Sequence, residues 1–194
     1  MLQNWFPTPT WVHQFSGNDL NKIQTEILNV INTIKQNDLS NPWSDTVKTS
    51  FKYAYDDVSV SNDLEKYNLV FTKSKIVEQL NYYCQCVNHD LQSEIKESWF
   101  NFSNRGNFQF DHQHGSCNIS GCYYFKTNGD DGDITFSNPN LIVFRRDIFP
   151  SLYCREQLDV IPSEGLLLIF PSWLTHRVNV NNTNNERISL SFNI

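Results

Sequence analysis

Leu166-Leu167-Leu168-Ile169-Phe170-Pro171-Ser172-Trp173-Leu174-Thr175-His176-Arg177-Val178-Asn179-Val180 reads as a buried strand, a proline-marked turn and a second strand that opens on a histidine. The first five residues are continuously apolar, as a strand covered on both faces requires. Pro171 closes that run at a strand end, where its missing N–H does little harm. Outward from this stretch the period of two recurs in short runs at 99–102, 107–111, 120–125, 133–136, 158–161 and 188–192. Gly129-Asp130-Asp131-Gly132 and Asn181-Asn182-Thr183-Asn184-Asn185 supply turns between them. Upstream the period lengthens. Leu20, Ile23, Ile27, Val30, Ile31 and Ile34 form a helical stripe from Asn18 to Lys35, with Asn18 or Asp19 as N-cap. A second stripe runs through Ile76, Val77, Leu80, Tyr83, Cys84, Val87 and Leu91. The pattern predicts one α+β domain over residues 1–194: a helical support region at 1–98 and a jelly-roll core at 99–194. Each one-sided helix needs a broad surface to lie on, and a sheet face provides it.

The bulk properties agree. A chain of 194 residues with 39% hydrophobic and 14% aromatic content can bury a sizeable single core. A formal charge of −6 gives no basic footprint for nucleic acid or an anionic membrane, and duplex DNA is the least attractive partner. No run of about 18 apolar residues suggests a membrane span, and Met1-Leu2-Gln3-Asn4-Trp5 lacks the basic and apolar regions of a secretory signal. The cysteines Cys84, Cys86, Cys117, Cys122 and Cys154 are odd in number and without CxxC spacing, so reduced thiols in a cytoplasmic protein are expected. Cys84 and Cys86, two apart in a helix, do not face one another and make a poor metal clamp. An exposed helix face is compatible with a homodimer.

Of five histidines, three lie in the strand-rich half. His112 and His114 are one residue apart, and in an extended strand both rings project from one face. His176 opens a later strand. Neutral imidazole is a common ligand for iron, zinc and copper, and a pair plus a distant third would occupy one face of a metal and leave the other open. The alternative for His-x-His is a surface pair on a strand edge. Asp111 is the nearest carboxylate; it points away from His112 in an extended strand and ranks behind His114 as ligand, or acts by orienting an imidazole. His13 and His89 read as ordinary surface or helix histidines. Eleven residues after His176 comes Arg187-Ile188-Ser189. A guanidinium presents a planar fork matched to a carboxylate, so Arg187 can anchor the far end of a dicarboxylate, with Ser189 on the same strand face as a further donor. Tyr123, Phe170 and Trp173 read as core or pocket wall, and Ser120-Gly121 as a place of close approach inside the barrel.

With these residues in place, the sequence resembles the 2-oxoglutarate and iron(II)-dependent oxygenase superfamily, whose pattern is His-x-Asp/Glu, a long interval, His, then Arg-x-Ser. More narrowly it is similar to the 2OG-Fe(II) oxygenase family of bacteria and phages, related to prolyl hydroxylases. The features carrying the resemblance are Phe6-Pro7-Thr8-Pro9, Trp99-Phe100-Asn101, His112-Gln113-His114, Ser120-Gly121-Cys122-Tyr123-Tyr124, Glu164-Gly165, Phe170 through His176, and Arg187 through Asn193. The resemblance implies a double-stranded β-helix of cupin-like form and a dioxygenase that uses Fe(II), 2-oxoglutarate and O2 to hydroxylate its substrate, releasing succinate and CO2. It also implies metal ligation by His112 and His176, and co-substrate binding by Arg187. Tyr124 matches the position where related prolyl hydroxylases place a tyrosine on the same carboxylate. His114 departs from the pattern by standing where the carboxylate normally is, and Gly115 replaces a frequent proline.

Two other classes stay open at this stage. One is a cupin-type three-histidine metal enzyme that does not use 2-oxoglutarate, in which Arg187 would have no dicarboxylate to hold. The other is a non-catalytic jelly-roll binding module. The prime substrate is not readable; its choice is expected to rest on loops such as 127–132 and 138–153. If the chain is viral, its compartment is the host cytoplasm.

Overall fold

The structure is a computed structural model that describes residues 7–37, 39–42, 47–52, 61–87, 94–115, 117–140 and 156–194. Along the chain run β1 (Trp11–Gln14), α1 (Gly17–Asn37), β2 (Lys48–Thr49), α2 (Asp63–Lys66), α3 (Val70–Cys86), β3 (Glu97–Ser103) and β4 (Gln109–His112). Then follow β5 (Ile119–Lys126), β6 (Ile134–Ser137), β7 (Gln157–Val160), β8 (Leu166–Pro171), β9 (His176–Val178) and β10 (Arg187–Asn193). Each strand expected from the period of two is present, its ends shifted by no more than two residues.

The strands form two antiparallel sheets, a larger one in the order β1-β8-β5-β10-β3-β2 and a smaller one in the order β4-β9-β6-β7. This is the double-stranded β-helix, with short strands β1 and β2 added from the N-terminal part. Alternation divides the larger sheet cleanly. Phe100, Phe102, Ile188, Leu190 and Phe192 face the helices and share one core with Ile23, Ile27, Ile31 and Ile34 of α1 and Ile76, Leu80 and Tyr83 of α3. Spacings of three and four put those isoleucines on one stripe, and each fully buried aliphatic side chain contributes about 1.5–3 kcal/mol. The opposite face of the same strands turns inward toward the smaller sheet and is far more polar.

Pairing aligns that inner face in rows. Ser189 lies between Asn101 and Tyr124, Ser191 between Trp99 and Cys122, and Asn193 between Glu97 and Ser120. Gly121 has the close approach expected of it, because a Cβ there would lie 2.1 Å from Cζ of Phe192.

Several expectations need correcting. Trp173 is neither core nor pocket wall: it is 52% exposed in the turn after β8, and Leu174 takes the buried place beside it. The turn closes through the Leu174 N–H to the Pro171 carbonyl at 2.9 Å, which turns the indole outward. His13 sits on β1, half-buried with its ring 4.6 Å from that of Phe15. Helix α3 begins at Val70, several residues before the apolar stripe. Leu69 at its N-cap offers no side-chain bond; instead Glu26 of α1 accepts from the N–H groups of Phe71 and Thr72 and from the Thr72 hydroxyl. In the same helix Cys84 is buried and Cys86 exposed, so they do not face a common ion. Among the described residues no helix is long and apolar enough to cross a membrane. His89, Leu91, Cys154 and Phe6 lie outside the described residues.

Candidate functional site

Strand pairing sets His112 of β4 directly against His176 of β9, with ring centroids 4.2 Å apart. A register shift between Gln109 and His112 marks a bulge in β4, which re-aims the strand's last side chain into the space between the sheets. His114 lies just beyond β4, so strand alternation alone does not bring it in. Its N–H donates to the Ser172 carbonyl at 2.9 Å, and its ring centroid stands 5.3 Å from each of the other two. The ligand nitrogens of the three histidines all fall within 4.8 Å of one another.

The ring environments decide which nitrogens are free. Nδ1 of His112 is 2.8 Å from the Phe110 carbonyl and Nδ1 of His176 is 2.9 Å from the Leu174 carbonyl. A carbonyl only accepts, so both Nδ1 atoms carry the proton and both Nε2 atoms are bare toward the cluster. Burial, with a smaller contribution from the neighbouring rings, pushes the His176 imidazole down to about 3 and that of His114 down to about 4. His112 is lowered by burial as well. All three are neutral at neutral pH, the state a metal requires. Phe170 and Phe136 pack against the His176 ring at 4.9 and 5.9 Å and keep that side dry. Asp111 does not join: its carboxylate is 52% exposed and lies 3.8 Å from Arg177 on the opposite face.

The same cavity, about 720 Å³ in volume, is also lined by Arg187, Ser189 and Tyr124 of the larger sheet, with Cys122, Ile134 and Val178. Arg187 is 4% exposed. Its Nη1 donates to the main-chain carbonyls of Asp131, at 3.0 Å, and Gly132. Among the described residues no carboxylate pairs with it, so a buried positive charge and its remaining donors are left for whatever enters. Burial holds the Tyr124 phenol well above its usual range, with Cys122 adding to the shift, so it remains a donor. The Cys122 thiol is raised by burial and stays neutral.

Sequence reasoning quoted Trp99, Asn101 and Cys122 as motif residues and Asp131 as part of a turn, and gave none of them a place in the site. The first three share the inward phase of β3 and β5, a signal present in the alternation but uninformative until the facing side is known. Trp99 stands 6.0 Å from the His114 ring. Its Nε1, like Oδ1 of Asn101, is buried without a hydrogen-bond partner.

A family model described as "Putative 2OG-Fe(II) oxygenase" matches residues 97–193, half of the chain and every strand from β3 to β10. The chain belongs to this family. No curated protein sequence matches it. Solved structures resemble the oxygenase chain over nearly its whole length. The crystal structure of a Pseudomonas putida prolyl-4-hydroxylase is similar with TM-score 0.59 at 13% identity, covering 96% of this chain and 92% of that one. HygX from Streptomyces hygroscopicus, solved with nickel and 2-oxoglutarate bound, is similar with TM-score 0.58 at 13% identity over 95% of this chain and 82% of its own. A Trichoplax adhaerens prolyl hydroxylase, in complex with a hypoxia inducible factor peptide fragment, has TM-score 0.61 at 14% identity over 94% and 81%. At such identities the likeness concerns the fold. The family itself uses iron(II) and 2-oxoglutarate, and the donor set fits that ion: three neutral nitrogens on one side, with room opposite.

Proposed function

We propose that this oxygenase-family chain is a 2-oxoglutarate- and iron(II)-dependent dioxygenase that hydroxylates a protein or small-molecule substrate and releases succinate and CO2. His112, His114 and His176 hold the metal, and Arg187, helped by Ser189 and Tyr124, holds the distal carboxylate of 2-oxoglutarate. One observation carries this reading: three converging imidazoles and a buried guanidinium with no carboxylate partner among the described residues line one cavity.

When bound, iron(II) supplies the oxygen-activating redox chemistry that couples decarboxylation of 2-oxoglutarate to oxidation of the substrate. The chain's part is binding, orientation and exclusion of water. The Phe110 and Leu174 carbonyls lock the rings of His112 and His176 with Nε2 forward. Three neutral ligands would subtract no charge from the ion, so the 2-oxo-acid carboxylate of the co-substrate would offset it in part while its distal carboxylate meets Arg187. Arg187 offers a fork for two parallel hydrogen bonds to the far carboxylate, and the Tyr124 hydroxyl and Ser189 add single donors. Phe136 and Phe170 shield His176 from solvent.

A second reading draws on His114, which leaves the site without the usual ligand carboxylate: a three-histidine metal enzyme that does not consume 2-oxoglutarate. One assay separates the two. Purified protein is given Fe(II), ascorbate, O2 and 2-oxoglutarate, and succinate is followed for wild type and His176→Ala. Succinate from wild type alone supports the proposal. A wild type that binds the metal and neither binds nor consumes 2-oxoglutarate supports the second reading, and one that binds no metal sinks both.

A further inference from the structure

The buried carboxylate of Asp131 has no part in the site as described so far, yet it organises the ground on which Arg187 stands. Asp131 is fully buried. Its Oδ1 accepts from the Thr127 hydroxyl, while Oδ2 accepts from the Asn128 N–H at 2.9 Å and from Nδ2 of Asn185 at 2.8 Å. The first two bonds close the turn at 127–132 on itself. The third ties that turn to the segment leading into β10, two residues before Arg187. Asn181, also fully buried, holds the other side of that segment through Nδ2 to the Asn185 carbonyl at 2.7 Å and to the Ser103 carbonyl at 3.0 Å.

The main chain of the clamped turn then receives the guanidinium. Nη1 of Arg187 donates to the carbonyls of Asp131 and Gly132. Gly132 has φ +101°, and a Cβ there would lie 2.3 Å from the Asn179 carbonyl oxygen, so only glycine lets the turn pass this close. Arg187 thus rests on carbonyl dipoles and not on a carboxylate. Its position is fixed on one side, and among the described residues no carboxylate pairs directly with the guanidinium, the Asp133 carboxylate acting on it only through space. A direct ion pair with Asp131 would have fixed the side chain equally well and spent its charge.

We propose that Asp131, acting through the 127–132 turn and Asn185, is a positioning residue that sets where the Arg187 guanidinium stands and so which length of 2-oxo diacid reaches from it to the histidine cluster. This rests on the reading of Arg187 as the co-substrate anchor. A guanidinium held at one distance from the three imidazoles suits a five-carbon chain; one free to shift accepts a longer homologue nearly as well.

The test is equilibrium binding of 2-oxoglutarate and of 2-oxoadipate, one carbon longer, to anaerobic Mn(II)-loaded protein by calorimetry. Near-ultraviolet circular dichroism checks that each variant is folded. Asp131→Ala is expected to weaken 2-oxoglutarate at least tenfold, to narrow its preference over 2-oxoadipate, and to leave Mn(II) affinity within twofold. Asp131→Asn should recover most of the loss, because its amide can turn the oxygen toward Asn128 and Asn185 and the NH2 toward Thr127. Should Asp131→Ala fail to fold, Asn185→Ala removes one strut and carries the same prediction at about threefold. A folded Asp131→Ala or Asn185→Ala with wild-type affinity and wild-type discrimination overturns the inference. A wild type that binds neither diacid overturns the anchor reading and this one with it.

Discussion

At the scale of single residues, Arg187 and the three imidazoles are complementary in what they lack. The imidazoles are neutral and bare at the nitrogen that faces the cluster; the guanidinium is charged and unpaired where it faces the cavity. Arg187→Ala removes the charge from a site already desolvated around it, and loss of one partner of a buried charge pair costs about 2–5 kcal/mol. Calorimetric 2-oxoglutarate affinity should fall accordingly, with metal affinity unchanged; an unaltered affinity would take Arg187 out of its role. Arg187→Lys should fall between, keeping charge and losing the fork. His112, His114, His176 and Arg187 were legible as candidates because their side chains have few uses at those spacings. The choice between His114 and Asp111 was less so: the bulge in β4 and the Ser172 carbonyl bring the His114 ring inward, while Arg177 draws Asp111 out.

Among the elements, the strands were readable from a period of two: β3 and β10, though buried on both faces, set apolar residues toward the helices in alternation with mostly more polar ones toward the cavity. Strand β2 and helix α2, two and four residues long, were too short for a period to register, while β1, as long as the recognised β4, β6 and β7, stands apart from the strand-rich half where the alternation was read. The start of α3 escaped for another reason. Its first N–H groups are satisfied by Glu26, which sits 45 residues from Phe71 and belongs to a different helix. Glu26→Ala leaves those donors buried without an acceptor and should destabilise the protein by about 0.5–2 kcal/mol, the range for loss of a helix cap. Urea unfolding would measure it, and an unchanged midpoint would show that water replaces the carboxylate without loss.

In the whole molecule, the site exists only because two sheets face each other. The larger sheet carries Arg187, Ser189 and Tyr124; the smaller carries His112 and His176, with His114 tied to the turn that follows β8. An ion bound by all three rings would link β4 to β9 and stabilise the fold by mass action, about 2.7 kcal/mol at a free metal concentration one hundred times Kd. Thermal unfolding should therefore shift upward with Mn(II) or anaerobic Fe(II), return on chelation, and lose the shift in His112→Ala. A shift that survives His112→Ala would place the metal elsewhere.

The sequence by itself determined the class of elements, the division into helical and strand-rich parts, and the residue types able to hold a metal and a dicarboxylate. Those properties are local: hydrophobic period and side-chain chemistry are written along the chain. Only the tertiary structure decided which nitrogens are bare, that Arg187 meets carbonyls in place of a carboxylate, and that Asp131 braces it. Each of these depends on which strands become neighbours and which faces turn inward. A pairing between residues 56 positions apart, such as Arg187 with the Asp131 carbonyl, has no period to announce it.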